Sequence, residues 1–169
     1  MSLSHAPAAL QVSTASDGIA VGQLGPVCIV IWRGEVTHAR FQKQRMGLTS
    51  TVEESGGNGG FLCVIEPTAG APDSDLRKAS ADLINGLGDR LKCVACVVEG
   101  TGFKAAVGRS VLAGMSMLSG RRKTPFEVTA EVDKAEEWMR RQMTIPPVSL
   151  TRATEELRRA LNEADAKQS

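Results

Sequence analysis

Tyrosine is absent from this 169-residue chain, and aromatic residues make up only 4% of it. Proteins that bind single strands stack successive bases on aromatic faces, so the shortage disfavours that class. The net charge of +1 provides no broad field for a nucleic-acid backbone or an anionic membrane, and no nucleic-acid partner is expected. Two histidines occur, His5 and His38. Neither has a second ligand at a usual zinc spacing, so neither a metal nor a cofactor is expected. No window reaches the roughly 18 apolar residues of a membrane span. The first residues lack the basic start and apolar segment of a secretory leader. The four cysteines, Cys28, Cys63, Cys93 and Cys96, fall within predicted strands, a placement that suits buried free thiols in a reducing compartment. A cytoplasmic location is expected.

Cys93 and Cys96 form a C-x-x-C string. Such a pair does redox work at a helix start. Here it lies in a predicted strand, where residues three apart face opposite ways. Core thiols are the expectation.

What the chain does have is strand–turn–helix units. Leu91 to Phe103 runs from a charged entry through the apolar Cys93–Val98 into a glycine-flanked turn. Unbroken apolarity predicts a strand covered on both faces. Phe61–Ile65 repeats the form, and Val27–Trp32 is a third such strand, rich in β-branched residues. Leu10–Thr14 and Ile19–Leu24 flank the turn signal Asp17-Gly18, and Pro125–Val128 reads as an edge strand. Thr37 is a candidate cap for a helix that buries Phe41, Leu48 and Val52, with Gln42, Lys43, Gln44 and Arg45 outward. The glycine-rich run 55–60 precedes a strand, whereas a phosphate cradle opens into a helix, so a turn is expected there. Asp73 or Ser74 caps a helix with the stripe Leu76, Ala79, Leu83, Ile84 and Leu87. Phe103, Val107, Val111, Met115 and Leu118 recur at helical spacing. Arg121, Arg122 and Lys123 follow. Thr129 is a candidate cap for a helix with Ala135, Trp138 and Met139 on its apolar face.

The expected class is α/β: a mixed, mostly parallel sheet of about five strands with helices packed against it. Residues 1–9 form a loose N-terminus and 10–143 the domain. Residues 144–169 form a Pro-Pro linker and an appended helix, in which Leu150, Leu157 and Leu161 make a thin stripe. Glu155–Arg159 and Arg159–Glu163 are i,i+4 pairs on that helix, which could also serve as a dimerisation arm.

Asp17-Gly18-Ile19, the Val27–Trp32 strand running into Arg33-Gly34-Glu35-Val36-Thr37, and Pro125–Val128 leading to Ala135-Glu-Glu-Trp138 carry a family likeness. Leu10 to Met143 resembles the STAS domain of bacterial anti-sigma factor antagonists, in its divergent branch. The resemblance implies a STAS-like fold and a protein partner, a Ser/Thr kinase or another regulator. It also implies a phosphorylated hydroxyl at the start of the helix after the family's third strand. That position falls in Thr68 to Leu76. Ser74 in Asp73-Ser74-Asp75-Leu76 is the candidate site and Thr68 a second, although Asp75 stands where the family has a hydroxyl and the glycine is missing.

The function expected is therefore a non-enzymatic regulatory interaction module. Leu83 and the series Phe103, Val107, Val111 and Met115 are its candidate interface. Three alternatives stand beside it. One is a carrier for a small molecule or lipid, suggested by the family branch. Another is a structural component paired through the last helix. The third is an enzyme: Glu66 and Glu99 both end strands, and with Asp73 they would line a common crevice if those strands are neighbours.

Overall fold

Asp17 and Gly18 adopt φ of 53° and 80°, the left-handed pair that a two-residue hairpin turn demands. They join β1 (Gln11–Ser16) to β2 (Ile19–Leu24). Space as well as φ reserves position 18 for glycine, since a Cβ there would lie 2.2 Å from the Arg33 carbonyl oxygen. The computed structural model describes residues 8–102, 104–106, 108–110, 112 and 124–169. The candidate interface residues Phe103, Val107, Val111 and Met115 lie outside it, as does the basic cluster Arg121, Arg122 and Lys123.

Among the described residues, β3 (Val27–Trp32), β4 (Gly59–Ile65), β5 (Leu91–Val98) and β6 (Phe126–Thr129) complete a six-stranded sheet in sequential order. β1, β2 and β3 are antiparallel neighbours, and β3 to β6 run parallel. The sheet is mixed as expected but has six strands rather than about five, because both early segments pair.

Its two faces carry separate apolar layers. On one, α1 (His38–Glu54) and α2 (Ser74–Leu87) cover residues that include Val30, Phe61, Cys63 and Cys96. On the other, α3 (Val132–Gln142) and α4 (Leu150–Gln168) cover Ile29, Ile31, Leu62, Val64 and Val97. Strand alternation assigns each residue to its layer. Cys93 and Cys96 accordingly fall in opposite layers, and all four thiols are free.

The capping of α1 is as read, with the Thr37 hydroxyl accepting from the Arg40 amide at 3.2 Å. Gln44 departs from the expected outward face. It is buried, and its Oε1 accepts from the Trp32 indole Nε1 at 2.8 Å. Position 44 stands three residues after Phe41 and four before Leu48, so it shares their face, and the buried indole needs an acceptor. Thr129 does not cap α3: Glu131 holds that position without a side-chain bond, and the Thr129 hydroxyl donates to the Glu131 carbonyl at 2.9 Å.

α4 is far more than a thin appendage. Leu150, Leu157 and Leu161 are each 0% exposed, and the helix lies over β1, β2 and β3. At roughly 1.5–3 kcal/mol for each buried side chain, the stripe outweighs any surface ion pair on the same helix. The expected pairs Glu155–Arg159 and Arg159–Glu163 give way to Arg158–Glu155 at 3.3 Å and Arg152–Glu156 at 4.0 Å.

α1 approaches β2 closely at Gly47, where a Cβ would lie 2.3 Å from Val21 Cγ1. Alanine gains up to about 1 kcal/mol of helix propensity, but the overlap costs roughly 1–3 kcal/mol. Gly47→Ala is expected to lose about 1–2 kcal/mol net, read as a lower urea midpoint at unchanged slope.

Candidate functional site

Trp32 pairs in register with Ile65, and Ile65 with Val98. The next residues along the three strands, Arg33, Glu66 and Glu99, therefore stand side by side at the carboxyl edge of the parallel sheet. Backbone bonds continue the ladder one step, from Glu66 N to Trp32 O at 3.0 Å and from Glu99 N to Ile65 O at 2.9 Å. Ile31, Val64 and Val97 belong to the layer beneath α3 and α4. Period-two alternation thus turns Arg33, Glu66 and Glu99 towards that same side.

α4 meets them there. Arg158 reaches both acids: Nη1 donates to Glu66 Oε2 and to Glu99 Oε1 at 2.9 Å, and Nη2 donates to Glu99 Oε2 at 3.0 Å. Arg33 grips Glu66 from the other side, through Nε to Oε1 at 2.5 Å and Nη2 to Oε2 at 3.1 Å. Arg33 Nη1 also donates to Asp165 Oδ2 at 2.8 Å. The result is an alternating chain, Asp165–Arg33–Glu66–Arg158–Glu99, and Arg158 Nε also pairs with Glu155 on its own helix.

Side-chain exposure falls to 9% at Glu66, against 17% at Arg158 and 25% at Glu99. Burial by itself would push the Glu66 carboxyl up. Hydrogen bonds from Arg33 and then Arg158 outweigh it, and the pKa stands below its ordinary 4.5. Arg33 is raised, chiefly by its hydrogen bond to Glu66. Burial opposes the charge on Arg158, but the Glu99 hydrogen bond and charge prevail and its pKa is also raised. All three groups are held ionised.

Glu66 and Glu99 are thus neighbours, as the crevice idea required, but Asp73 does not join them. Its Oδ1 accepts from the Leu76 amide at 2.8 Å as the α2 cap, and its Oδ2 lies 4.0 Å from His38 Nε2. Ser74 is the exposed first residue of α2, and Thr68 is exposed on the crossing loop. Leu83 is half-buried against the α1/α2 layer, so its side chain is partly committed to the core.

Arg158 and Asp165 do not stand out in the sequence. They are seven residues apart on a helix and therefore share a face beside Leu157 and Leu161. That spacing is the signal that would have found them.

At the opposite edge of the sheet, an open groove of about 530 Å3 is lined by residues 140–145. Arg140 is engaged there, donating to the Val148 carbonyl at 2.7 Å and pairing with Glu136 at 3.2 Å. Among the described residues, no helix is long and apolar enough to cross a membrane. Nor do three or more His, Cys, Asp or Glu side chains gather so as to hold a metal ion.

No family model, no curated protein and no solved structure matches this chain.

Proposed function

We propose that the chain is a cytoplasmic, non-enzymatic interaction module of regulatory type, akin to the STAS domain, with its partner-facing surface around the start of α2. The observation that carries this reading is the use made of the strand-end acids. Glu66 and Glu99 occupy the edge where open α/β sheets hold ligands. Both are neutralised by arginines of the same chain, a role that suits anchors better than reacting groups. The exposed hydroxyls of Ser74 and Thr68 lie instead on the α2 side of that edge. A phosphate on Ser74 would meet the free amides of the helix start. It would also add a charge of about −1.5 to −2 beside Asp73 and Asp75, which would repel an acidic partner surface. A kinase of Ser/Thr type is the enzyme that would deliver it.

The test is affinity capture from cell extract with the wild type, Ser74→Ala and Ser74→Glu, coupled to phosphosite mapping. Phosphate should map to Ser74. The glutamate variant should lose a partner that the alanine variant keeps, by about tenfold or more, equal to 1.4 kcal/mol. Equal recovery by all three well-folded proteins, with no phosphate at Ser74, would count against the reading.

A further inference from the structure

The sheet ends on β1, and among the described residues no strand pairs with its outer side. Proteins guard such edges with charges, prolines or very short strands, because an open edge pairs with other chains. β1 runs six residues, Gln11-Val-Ser-Thr-Ala-Ser16, with neither a charge nor a proline. The two-residue turn at Asp17-Gly18 makes Ser16 and Ile19 a hydrogen-bonded pair. The N–H and C=O of Ala15, one step on, therefore point away from β2. Val12 is 46% exposed and, with Met46, one of the two large apolar side chains left open among the described residues.

Val12 and Ala15 lie on the same side of the strand. Ala15 packs against the layer beneath α3 and α4. Val12 pairs with Gly22, where a Cβ would lie 3.3 Å from Leu157 Cδ1 of α4. Residues three apart in a regular strand face opposite ways, but the bulge between Val12 and Thr14 absorbs one step.

We propose that β1 pairs antiparallel with β1 of a second copy across a two-fold axis, joining the two six-stranded sheets into one. In that register Val12 lies opposite Ala15 of the second copy, and the open valine is covered. An uncharged strand meets its own image without like-charge repulsion. The helices fit the same arrangement. α4 lies chiefly over β1 and β2, so its axis stands about one strand spacing from the two-fold. Strands are about 4.7–4.9 Å apart, which sets the two α4 axes about 9–10 Å apart, as in packed helices. Leu157 stands over the register partner of Val12, and Gln168 donates to Asp17 at the other end of β1 at 3.2 Å. At about 1.5 Å per helical residue and 3.3 Å per strand residue, Ala160 falls above the midpoint of β1. It is half-buried and about 200° round the helix from Arg158, so it faces the open edge, where a small side chain lets the helices approach. The leucine stripe of α4 stays in the core, and the Ser74 surface of each copy stays open.

The experiment is sedimentation equilibrium of the full chain over a concentration series, with Val12→Lys, Ala160→Arg and Ala160→Cys beside the wild type. The wild type is expected to reach the mass of two chains, and its Ala15 amide should gain protection from exchange as the dimer forms. Val12→Lys and Ala160→Arg change positions that the fold of one chain leaves open, and each should weaken the dimer by at least about tenfold while keeping the wild-type circular dichroism. Ala160→Cys should form a disulfide between copies with oxidised glutathione, since the four native thiols are buried. A monomer throughout the series, or a dimer that both charged variants and the Ala15 amide leave unmarked, would overturn the proposal. The wild-type mass and amide exchange decide the matter even where a variant fails to fold.

Discussion

A chain ending at Met143 is expected not to fold. α4 supplies Leu150, Ala153, Leu157 and Leu161 to the layer over Ala20, Ile29 and Ile31. Without it, β1, β2 and β3 would present that whole face to water. The three leucines alone are worth roughly 5–9 kcal/mol at 1.5–3 kcal/mol each, and domains have only about 5–15 kcal/mol to lose. Circular dichroism and gel filtration of the truncated chain should show lost cooperative unfolding and aggregation. A soluble, cooperatively unfolding monomer would show that α4 is dispensable. The same packing bears on the idea of a dimerisation arm, since the stripe that would pair two copies is spent within one chain.

The second large effect is expected at Arg158. Arg158→Met keeps the length of the side chain and removes the charge that joins Glu66 to Glu99. Exposed ion pairs are worth about 0–1 kcal/mol, and breaking a fully buried one costs about 3–5 kcal/mol. Side-chain exposures of 9%, 17% and 25% place this one between, and the expected loss at neutral pH is about 2–3 kcal/mol. Arg158→Lys should recover only part of it, because a compact ammonium cannot fork across two carboxylates as guanidinium does.

Acid acts on the same contact. Folding lowers the Glu66 pKa below 4.5. The unfolded chain therefore takes up a proton first as pH falls, and the stabilisation by Glu66 is complete well above that value and is lost progressively as pH falls through the lower, folded pKa. Urea unfolding of the wild type at stepped pH should show this loss. Arg158→Met should show a smaller acid-dependent part, since only Arg33 then holds Glu66. Parallel pH profiles for the two proteins would contradict the assignment.

Much of this architecture is visible in the sequence. The unbroken runs Val27–Trp32, Phe61–Ile65 and Cys93–Val98 read as covered strands because both faces of the sheet are packed. Glu66 and Glu99 read as strand ends because a charge follows an apolar run. Their common position is not legible there, since register depends on pairing between distant segments. Arg158 was hidden for a related reason. It is one of several arginines on a polar helix, and only the docked position of α4 distinguishes it. Gln44 reads as outward because a polar side chain on a buried face shows no partner in the sequence, and Trp32 supplies it only in the fold.

α4 closes the carboxyl edge of the sheet as an integral element, fastened by Arg158 and by Arg33 through Asp165. Amide hydrogen exchange along the intact chain tests this most directly. Residues 153–161 are expected to exchange as slowly as β3 at neutral pH, and faster than β3 once the pH falls below the lowered pKa of Glu66. Exchange of those residues at the rate of an undocked helix at neutral pH would contradict it.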